Sequence, residues 1–125
     1  MPSVMIVDDA VDTCEPLAKY LERCGFDVVV LPNGRDALKA VLHNPPDVVV
    51  LDLLMPEMDG PTFLEVVRSY LRLQGLPVVV LSALSHGPMV ERARRLKVNN
   101  VLVKTRASLE EIKAAVEDAI ERANA

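Results

Sequence analysis

Short apolar runs alternate along this chain with longer segments in which apolar residues recur every three or four positions. The runs are rich in valine, isoleucine and leucine, as is typical of strands that are buried on both faces of a parallel sheet. They predict strands at residues 4–7, 28–31, 48–51, 78–81 and 101–103. The longer segments predict helices from 12 or 13 to 25, at 34–43, 61–74 and 88–97, and from 108 onward. This alternation predicts an α/β fold, a doubly wound five-stranded parallel sheet with five helices.

Residues that begin or end helices support these bounds. Gly25 is a typical C-cap of the first helix, and Pro16 is expected in or near its first turn. The segment from Ser108 to Glu111 has the pattern of a capping box at the start of the fifth helix. The periodicity of the third helix predicts that Leu71 points inward.

Carboxylates directly follow two of the predicted strands. Asp8 and Asp9 come after the first strand, and Asp52 comes after the third. In a flavodoxin-like sheet of strand order 2-1-3-4-5, the carboxyl ends of strands 1 and 3 flank the ligand crevice, so these acids are expected in one pocket. Two carboxylates about 5 Å apart repel by roughly 3 kcal/mol at an effective dielectric constant of 20. Three ionised acids therefore favour a bound divalent cation.

The fourth and fifth strands bring Ser82 and Lys104 to the same edge of the sheet. A polar residue at a strand end is unremarkable by itself, because its side chain can leave the core there without losing hydrogen-bond partners. Taken alone, Asp52 fits a strand-end cap as well as it fits a functional site. The set is more informative. Three acids, a hydroxyl and an ammonium group supply a nucleophile, metal ligands and donors to phosphoryl oxygens, so they predict a phosphoryl acceptor site.

Composition excludes several classes of protein. With 125 residues, half of them apolar and 26% charged, the chain is expected to form one globular domain over residues 1–125. The net charge of −4 argues against direct nucleic-acid binding. No apolar stretch approaches the roughly 20 residues of a membrane span, and no leader is recognisable. Cys14 and Cys24 would lie about 15 Å apart in one helix and cannot pair, so a cytoplasmic location is expected.

The whole chain resembles the receiver domain of two-component response regulators. The resemblance rests on VMIVDD at residues 4–9, VVLDLLMPEMDG at 49–60, LSA at 81–83 and VLVK at 101–104. The segment that begins at Asp52 and ends at Gly60 is highly specific. What the resemblance implies is that Asp52 accepts a phosphoryl group from a histidine kinase or a histidine phosphotransfer protein.

The resemblance also implies how a metal ion would be held. Asp9, Asp52 and the main-chain carbonyl of Leu54 would bind Mg²⁺, or Mn²⁺, directly, and Asp8 would act mostly through water. The protein would be a self-phosphorylating acceptor with possible autodephosphorylation rather than an enzyme. It would signal to a protein target through the face formed by helix 4, strand 5 and helix 5. It is expected to be a monomer or weak dimer that contacts neither nucleic acid nor membrane directly.

Ser82 and Lys104 would each bind a phosphoryl oxygen in such a domain. Two nearby positions depart from the family pattern. Val101 stands where receivers usually have Phe or Tyr, so an aromatic rotamer switch is not available. Thr105 stands where a proline in a cis peptide is common, and a trans bond is expected because a non-proline cis bond costs about 2.5 to 4 kcal/mol.

Other functions remain as alternatives. An aspartyl phosphatase would carry an acid two residues after its nucleophile, but the residue two after Asp52 is Leu54, which counts against this function. A nucleotide switch would need a Gly-x-x-x-x-Gly-Lys loop after a strand, and no strand is followed by one. A degenerate receiver that binds partners without phosphorylation is the main alternative, and the complete acidic set counts against it. The basic strip of the fourth helix is expected to be a solvated surface. It consists of Arg92, Arg94, Arg95 and Lys97.

Overall fold

The computed structural model describes residues 1–125 and contains a single five-stranded parallel sheet. The order β2-β1-β3-β4-β5 confirms the predicted strand order, and all four strand pairs are parallel. The strands are β1 (Ser3–Val7), β2 (Asp27–Leu31), β3 (Val48–Leu51), β4 (Val78–Ser82) and β5 (Asn100–Val103).

Five helices cover the two faces of the sheet, as predicted. They are α1 (Val11–Arg23), α2 (Gly34–His43), α3 (Gly60–Ser69), α4 (Pro88–Arg95) and α5 (Leu109–Ala123). Successive side chains of a strand point to opposite faces. Val4 and Ile6 of β1 therefore pack with α1 and α5, whereas Met5 and Val7 pack with α2, α3 and α4. The sheet thus separates two hydrophobic cores.

The central strands are the most deeply buried. Every residue of β3 and β4 is buried, which agrees with their continuous apolar sequences. The two edge strands are more open, and Val29 of β2 is 47% exposed. The carboxyl ends of β1, β3 and β4 therefore emerge from the most deeply buried part of the sheet.

Helix ends differ from the sequence prediction at several places. Pro16 lies inside α1 as its sixth residue, just past the first turn. The third helix ends at Ser69, because Tyr70 is extended, and the chain continues as a 3-10 turn over Leu71–Leu73. This break leaves Leu71 85% exposed and buries Leu73 instead, so the inward orientation predicted for Leu71 is wrong. Likewise α4 ends at Arg95, two residues early.

Other local predictions are confirmed. Ser108 and Glu111 form both hydrogen bonds of the capping box at α5. Gly25 has a φ of 98° just after α1, a conformation that glycine adopts without steric cost. The Lys104–Thr105 peptide bond is trans, as are all others. None of the helices combines the length and the apolar character needed to cross a membrane.

Candidate functional site

Hydrogen bonds that continue the strand ladders position the polar residues at the carboxyl edge of the sheet. The Asp52 amide donates to the Val7 carbonyl at 2.9 Å, which continues the pairing of β3 with β1. The Lys104 amide donates to the Ser82 carbonyl at 2.9 Å in the same way, next to β4. Because the main chain of these residues is fixed by the sheet, their side chains emerge at defined places.

The three acids do share one pocket. Oxygen atoms of Asp8, Asp9 and Asp52 lie within 4.8 Å of one another. Asp8 and Asp52 are buried, with 3% and 6% of their surface exposed, whereas Asp9 is exposed. Opposite oxygen ligands of one Mg²⁺ ion are about 4 Å apart, so small side-chain rotations suffice to bring this set around an ion. The donor set therefore fits a hard divalent cation.

Lys104 provides a positive charge inside this acidic pocket. Its Nζ lies 2.5 Å from Oδ2 of Asp8 and 3.4 Å from Oδ2 of Asp52. Burial by itself would lower the pKa of Lys104, but the hydrogen bond to Asp8 and the charges of both acids outweigh it and raise that pKa. Lys104 therefore stays protonated, and a single ammonium group faces three carboxylates.

Asp52 is held more loosely than Asp8. Its Oδ1 accepts the Leu54 amide at 3.3 Å, whereas Oδ1 of Asp8 accepts the Ala10 amide at 3.0 Å. Burial raises the pKa of Asp52 and the charge of Asp8 adds to this, while Lys104 and the Leu54 amide oppose it. An ionised Asp52 is thus electrostatically disfavoured and its oxygens are only weakly engaged, so it gains most from an added cation or electrophile.

Ser82 is the most enclosed residue of the site. It is fully buried, and its Oγ accepts the amide of Leu84 at 3.3 Å, without a hydrogen bond to any of the acids. Its hydroxyl proton remains free to donate. The structure therefore brings Asp8, Asp52 and Lys104 into direct contact and places Ser82 at the end of the neighbouring strand.

Gly60 shapes the loop that follows Asp52. Its amide donates to the Leu53 carbonyl at 3.0 Å. A Cβ atom at this position would lie 2.7 Å from the Asp52 carbonyl oxygen and 2.7 Å from the Leu53 Cα, both of them main-chain atoms. Only glycine permits this approach. The segment from Asp52 to Gly60 therefore ends in glycine because of loop geometry rather than chemistry.

Sequence reasoning did not identify Cys14 as a neighbour of this site. Cys14 lines a cavity of about 280 Å³ that extends from Asp8 and Lys104 between α1 and α5. Burial raises the pKa of Cys14 to about 12, and the charge of Asp8 adds to this effect, so the thiol is not a nucleophile at neutral pH. The only feature of the sequence that could have indicated this is the place of Cys14 on the apolar face of α1, which points toward the sheet.

The basic strip of the fourth helix is less uniform than predicted. Arg92 is partly buried and pairs with Glu65 of α3. Arg94, Arg95 and Lys97 are exposed, as expected for a solvated surface.

The doubly wound sheet has acids after β1 and β3, a serine that ends β4 and a lysine after β5, which is the arrangement expected of a receiver domain. The comparison with known families agrees with this geometry. The model of the response regulator receiver domain matches residues 4–117, and the chain belongs to that family.

Similar individual proteins include a chemotaxis protein and a response regulator receiver domain. The chain is 35% identical to a probable chemotaxis protein CheY of Rhizobium etli, over 91% of this chain and 88% of that protein. It is 37% identical to a protein-glutamate methylesterase/protein-glutamine glutaminase of Archaeoglobus fulgidus, over 78% of this chain but only 28% of that protein. The receiver domain of Francisella response regulator 1452 superposes with a TM-score of 0.86 at 28% identity, and the match covers 98% of each chain.

Proposed function

We propose that this protein is a phosphoacceptor receiver, one domain over residues 1–125, in which Asp52 takes a phosphoryl group in a reaction that depends on Mg²⁺ or Mn²⁺. The observation that supports this most is the cluster of Asp8, Asp9 and Asp52, whose oxygens lie within 4.8 Å of one another beside Lys104. A degenerate receiver has no need of this arrangement, which is costly in charge repulsion.

Asp52 is the best candidate for the acceptor. Both oxygens of Asp8 are engaged at 3.0 Å or less, by the Ala10 amide and by Lys104. The corresponding distances at Asp52 are 3.3 and 3.4 Å. The raised pKa of Asp52 also makes its carboxylate a better nucleophile than an ordinary one. The central strand β3 positions it in the middle of the site.

Asp9, Asp52 and the Leu54 carbonyl are the proposed direct ligands of the cation. Asp9 is exposed, so its oxygens reach an ion that keeps several waters. Asp8 is tied to Lys104 and is expected to act through water. The bound cation would neutralise charge on the phosphoryl oxygens as the anionic donor approaches.

In the proposed transfer, an oxygen of Asp52 attacks the phosphorus of a phosphohistidine in the kinase or phosphotransfer protein. A new P–O bond forms, the P–N bond breaks, and its electron pair stays on the imidazole nitrogen. Lys104 is already 3.4 Å from Asp52, so its ammonium group can pair with a phosphoryl oxygen. The Ser82 hydroxyl donates a hydrogen bond to another phosphoryl oxygen. The product is an acyl phosphate, so the protein is a self-modifying acceptor, and hydrolysis of that acyl phosphate by water would be its autodephosphorylation.

The proposed signal leaves the site through Ser82. Movement of its hydroxyl toward the phosphoryl group pulls on residues 83–87, which lead directly into α4. No aromatic side chain stands at Val101 to add a ring movement. We therefore place the output to a protein target on the face of α4, β5 and α5, in a monomer or weak dimer.

Phosphorylation itself is tested with a small acyl-phosphate donor and Mg²⁺, followed by intact mass measurement. The wild type should gain the mass of one phosphoryl group, and Asp52→Asn should gain none. Asp12→Asn, which removes an exposed acid outside the cluster, is the matched control and should react like the wild type. If Asp52→Asn is still labelled, the acceptor is Asp8 or Asp9. If the wild type is not labelled, the result supports a degenerate receiver.

The metal ligands are tested by calorimetry with Mg²⁺. Asp9→Ala should lose both Mg²⁺ binding and phosphorylation, because it removes a direct ligand without breaking an ion pair of the fold. Unchanged Mg²⁺ affinity in Asp9→Ala would contradict this assignment.

A further inference from the structure

A basic pocket lies at the amino edge of the sheet, opposite to Asp52. It occupies about 200 Å³ between the end of α3 and the end of α4. Three of its five lining residues are cations and one is an amide. They are Arg68, Gln74, Arg95, Leu96 and Lys97.

Arg68 is fixed at this pocket by main-chain carbonyls. Its Nε donates to the Leu96 carbonyl at 2.9 Å, and its two terminal nitrogens donate to the carbonyls of Leu73 and Lys97 at 3.1 and 3.4 Å. No carboxylate lies within ion-pair distance of Arg68, although the side chain is partly buried and burial lowers its pKa. A guanidinium group withdrawn from water normally has a carboxylate partner, so this charge lacks its usual compensation.

Arg95 and Lys97 also have no acidic partner. The protein as a whole is acidic, with 18 Asp and Glu residues and a net charge of −4, and two nearby cations are paired. Arg92 pairs with Glu65, and Arg122 pairs with Asp118. The three cations of the pocket are thus an uncompensated positive cluster in an otherwise acidic molecule.

Lys97 occupies a main-chain position at the end of α4 that does not itself favour lysine. Lys97 is the second residue after the helix and has a φ of 64°, the left-handed conformation in which glycine is preferred. A lysine pays a steric cost there of roughly 1 kcal/mol. The partial negative charge at the end of α4 does not oppose an anion strongly, since Arg68 already bonds the carbonyls of Leu96 and Lys97.

A second cavity, of about 260 Å³, adjoins the first and has Arg68, Gln74 and Lys97 in common with it. Its remaining lining includes the apolar side chains of Leu76 and Pro77. A charged head group at the three cations would therefore leave room beside it for a compact organic group.

We propose that this pocket binds a phosphate group, either free or as the monoester of a small organic molecule. Guanidinium and ammonium groups are the usual donors to phosphate oxygens, and Gln74 adds an amide donor. The pocket is distinct from the acceptor site. Pro77, which lines the adjoining cavity, lies just before β4, whereas Ser82 ends that strand, roughly 16 Å away. The proposal does not depend on phosphorylation of Asp52.

The test is an NMR titration of the wild-type protein with inorganic phosphate and, separately, with ribose 5-phosphate. The titration buffer contains a chelator and no divalent cations, so that no metal ion at the acidic site can bind the added anion. Saturable shift changes are expected at the amides of Arg68, Gln74, Leu96 and Lys97. Tighter binding of the ester identifies an organic ligand that uses the second cavity, and equal binding identifies free phosphate.

Charge-matched variants separate a site from general attraction. Arg95→Gln with Lys97→Gln should weaken binding by about tenfold or more. Arg94→Gln with Arg106→Gln removes two exposed cations outside the pocket and should change the affinity by less than about twofold. The proposal is overturned if both pairs weaken binding equally, if the shifts do not saturate, or if they spread over the whole cationic surface.

Discussion

The two edges of the sheet carry opposite charges and compensate them differently. At the carboxyl edge, Asp8 and Asp52 are buried and both lie near Lys104, which partly balances them from within the protein. At the amino edge, Arg68 donates only to carbonyl groups, and Arg95 and Lys97 have no acidic partner. The first site is preorganised but short of positive charge, whereas the second has no internal counter-ion at all.

The difference also concerns what holds each site in place. The acidic residues follow strands, and ladder hydrogen bonds fix their main chain. The basic residues stand at helix ends, where one side chain, Arg68, connects the two segments. We therefore expect the acidic edge to be sensitive to main-chain geometry and the basic edge to depend on a single guanidinium group.

The largest expected effect is that of a methyl group at the acidic edge. Gly60→Ala should destabilise the fold by about 3 kcal/mol, because its Cβ would lie 2.7 Å from main-chain atoms of Asp52 and Leu53. Gly75→Ala, near the basic pocket, meets nothing within 4 Å and should be neutral or slightly stabilising. Urea unfolding measures both, and equal stability of the two variants would contradict the close approach at Gly60.

Removal of the guanidinium group at the basic edge should have the next largest effect. Arg68→Met keeps much of the aliphatic length but loses the bonds to Leu73, Leu96 and Lys97, at a cost of about 2 kcal/mol. Arg95→Met, on the same pocket but without such bonds, should change the free energy of unfolding by less than about 0.5 kcal/mol. Similar values for the two variants would show that Arg68 does not connect the helices.

Asp52→Asn should stabilise the protein by on the order of 1 kcal/mol at neutral pH. Because the folded-state pKa of Asp52 is raised by burial and by Asp8, the folded protein binds a proton more tightly than the unfolded chain. Stability is therefore lost as the pH rises through that pKa, and the gain from Asn is complete above it.

The gain should shrink as the pH falls through the raised folded-state pKa and should vanish below the ordinary value of 3.8, where the wild-type acid is protonated in both states. Thermal unfolding at several pH values measures it, with Asp27→Asn, an exposed acid of β2, as the control. A stabilisation that does not depend on pH would show that charge is not its cause.

The smallest expected effect concerns the lifetime of the acyl phosphate. Leu54 is 47% exposed beside Asp52, and its side chain cannot orient an attacking water. Leu54→Asn adds hydrogen-bonding groups and should shorten the lifetime several-fold, as followed by intact mass after removal of the donor. Leu71→Asn makes the same change at a side chain that is 85% exposed and remote from Asp52, and should leave the lifetime unchanged. A longer lifetime in Leu54→Asn would contradict the argument.

Most of the acidic site follows from the sequence, and most of the basic pocket does not. Asp8, Asp52 and Lys104 each come directly after an apolar run, and in a doubly wound sheet such positions converge at one edge. The sequence could not show that Asp8 binds Lys104 more closely than Asp52 does, because the two distances depend on side-chain packing.

The sequence by itself determined the alternation of strands and helices and the polar residues that follow the strands, because these depend on local periodicity and on position relative to a strand. The strand order is predicted by analogy with flavodoxin-like sheets. Only the tertiary structure decided where α3 ends and therefore that Leu71 is exposed. It also brought Arg68 to the carbonyls of Leu96 and Lys97, some thirty residues away along the chain. Such contacts join helix ends from different segments, and the distance between helix ends is set by packing of the core rather than by any local pattern.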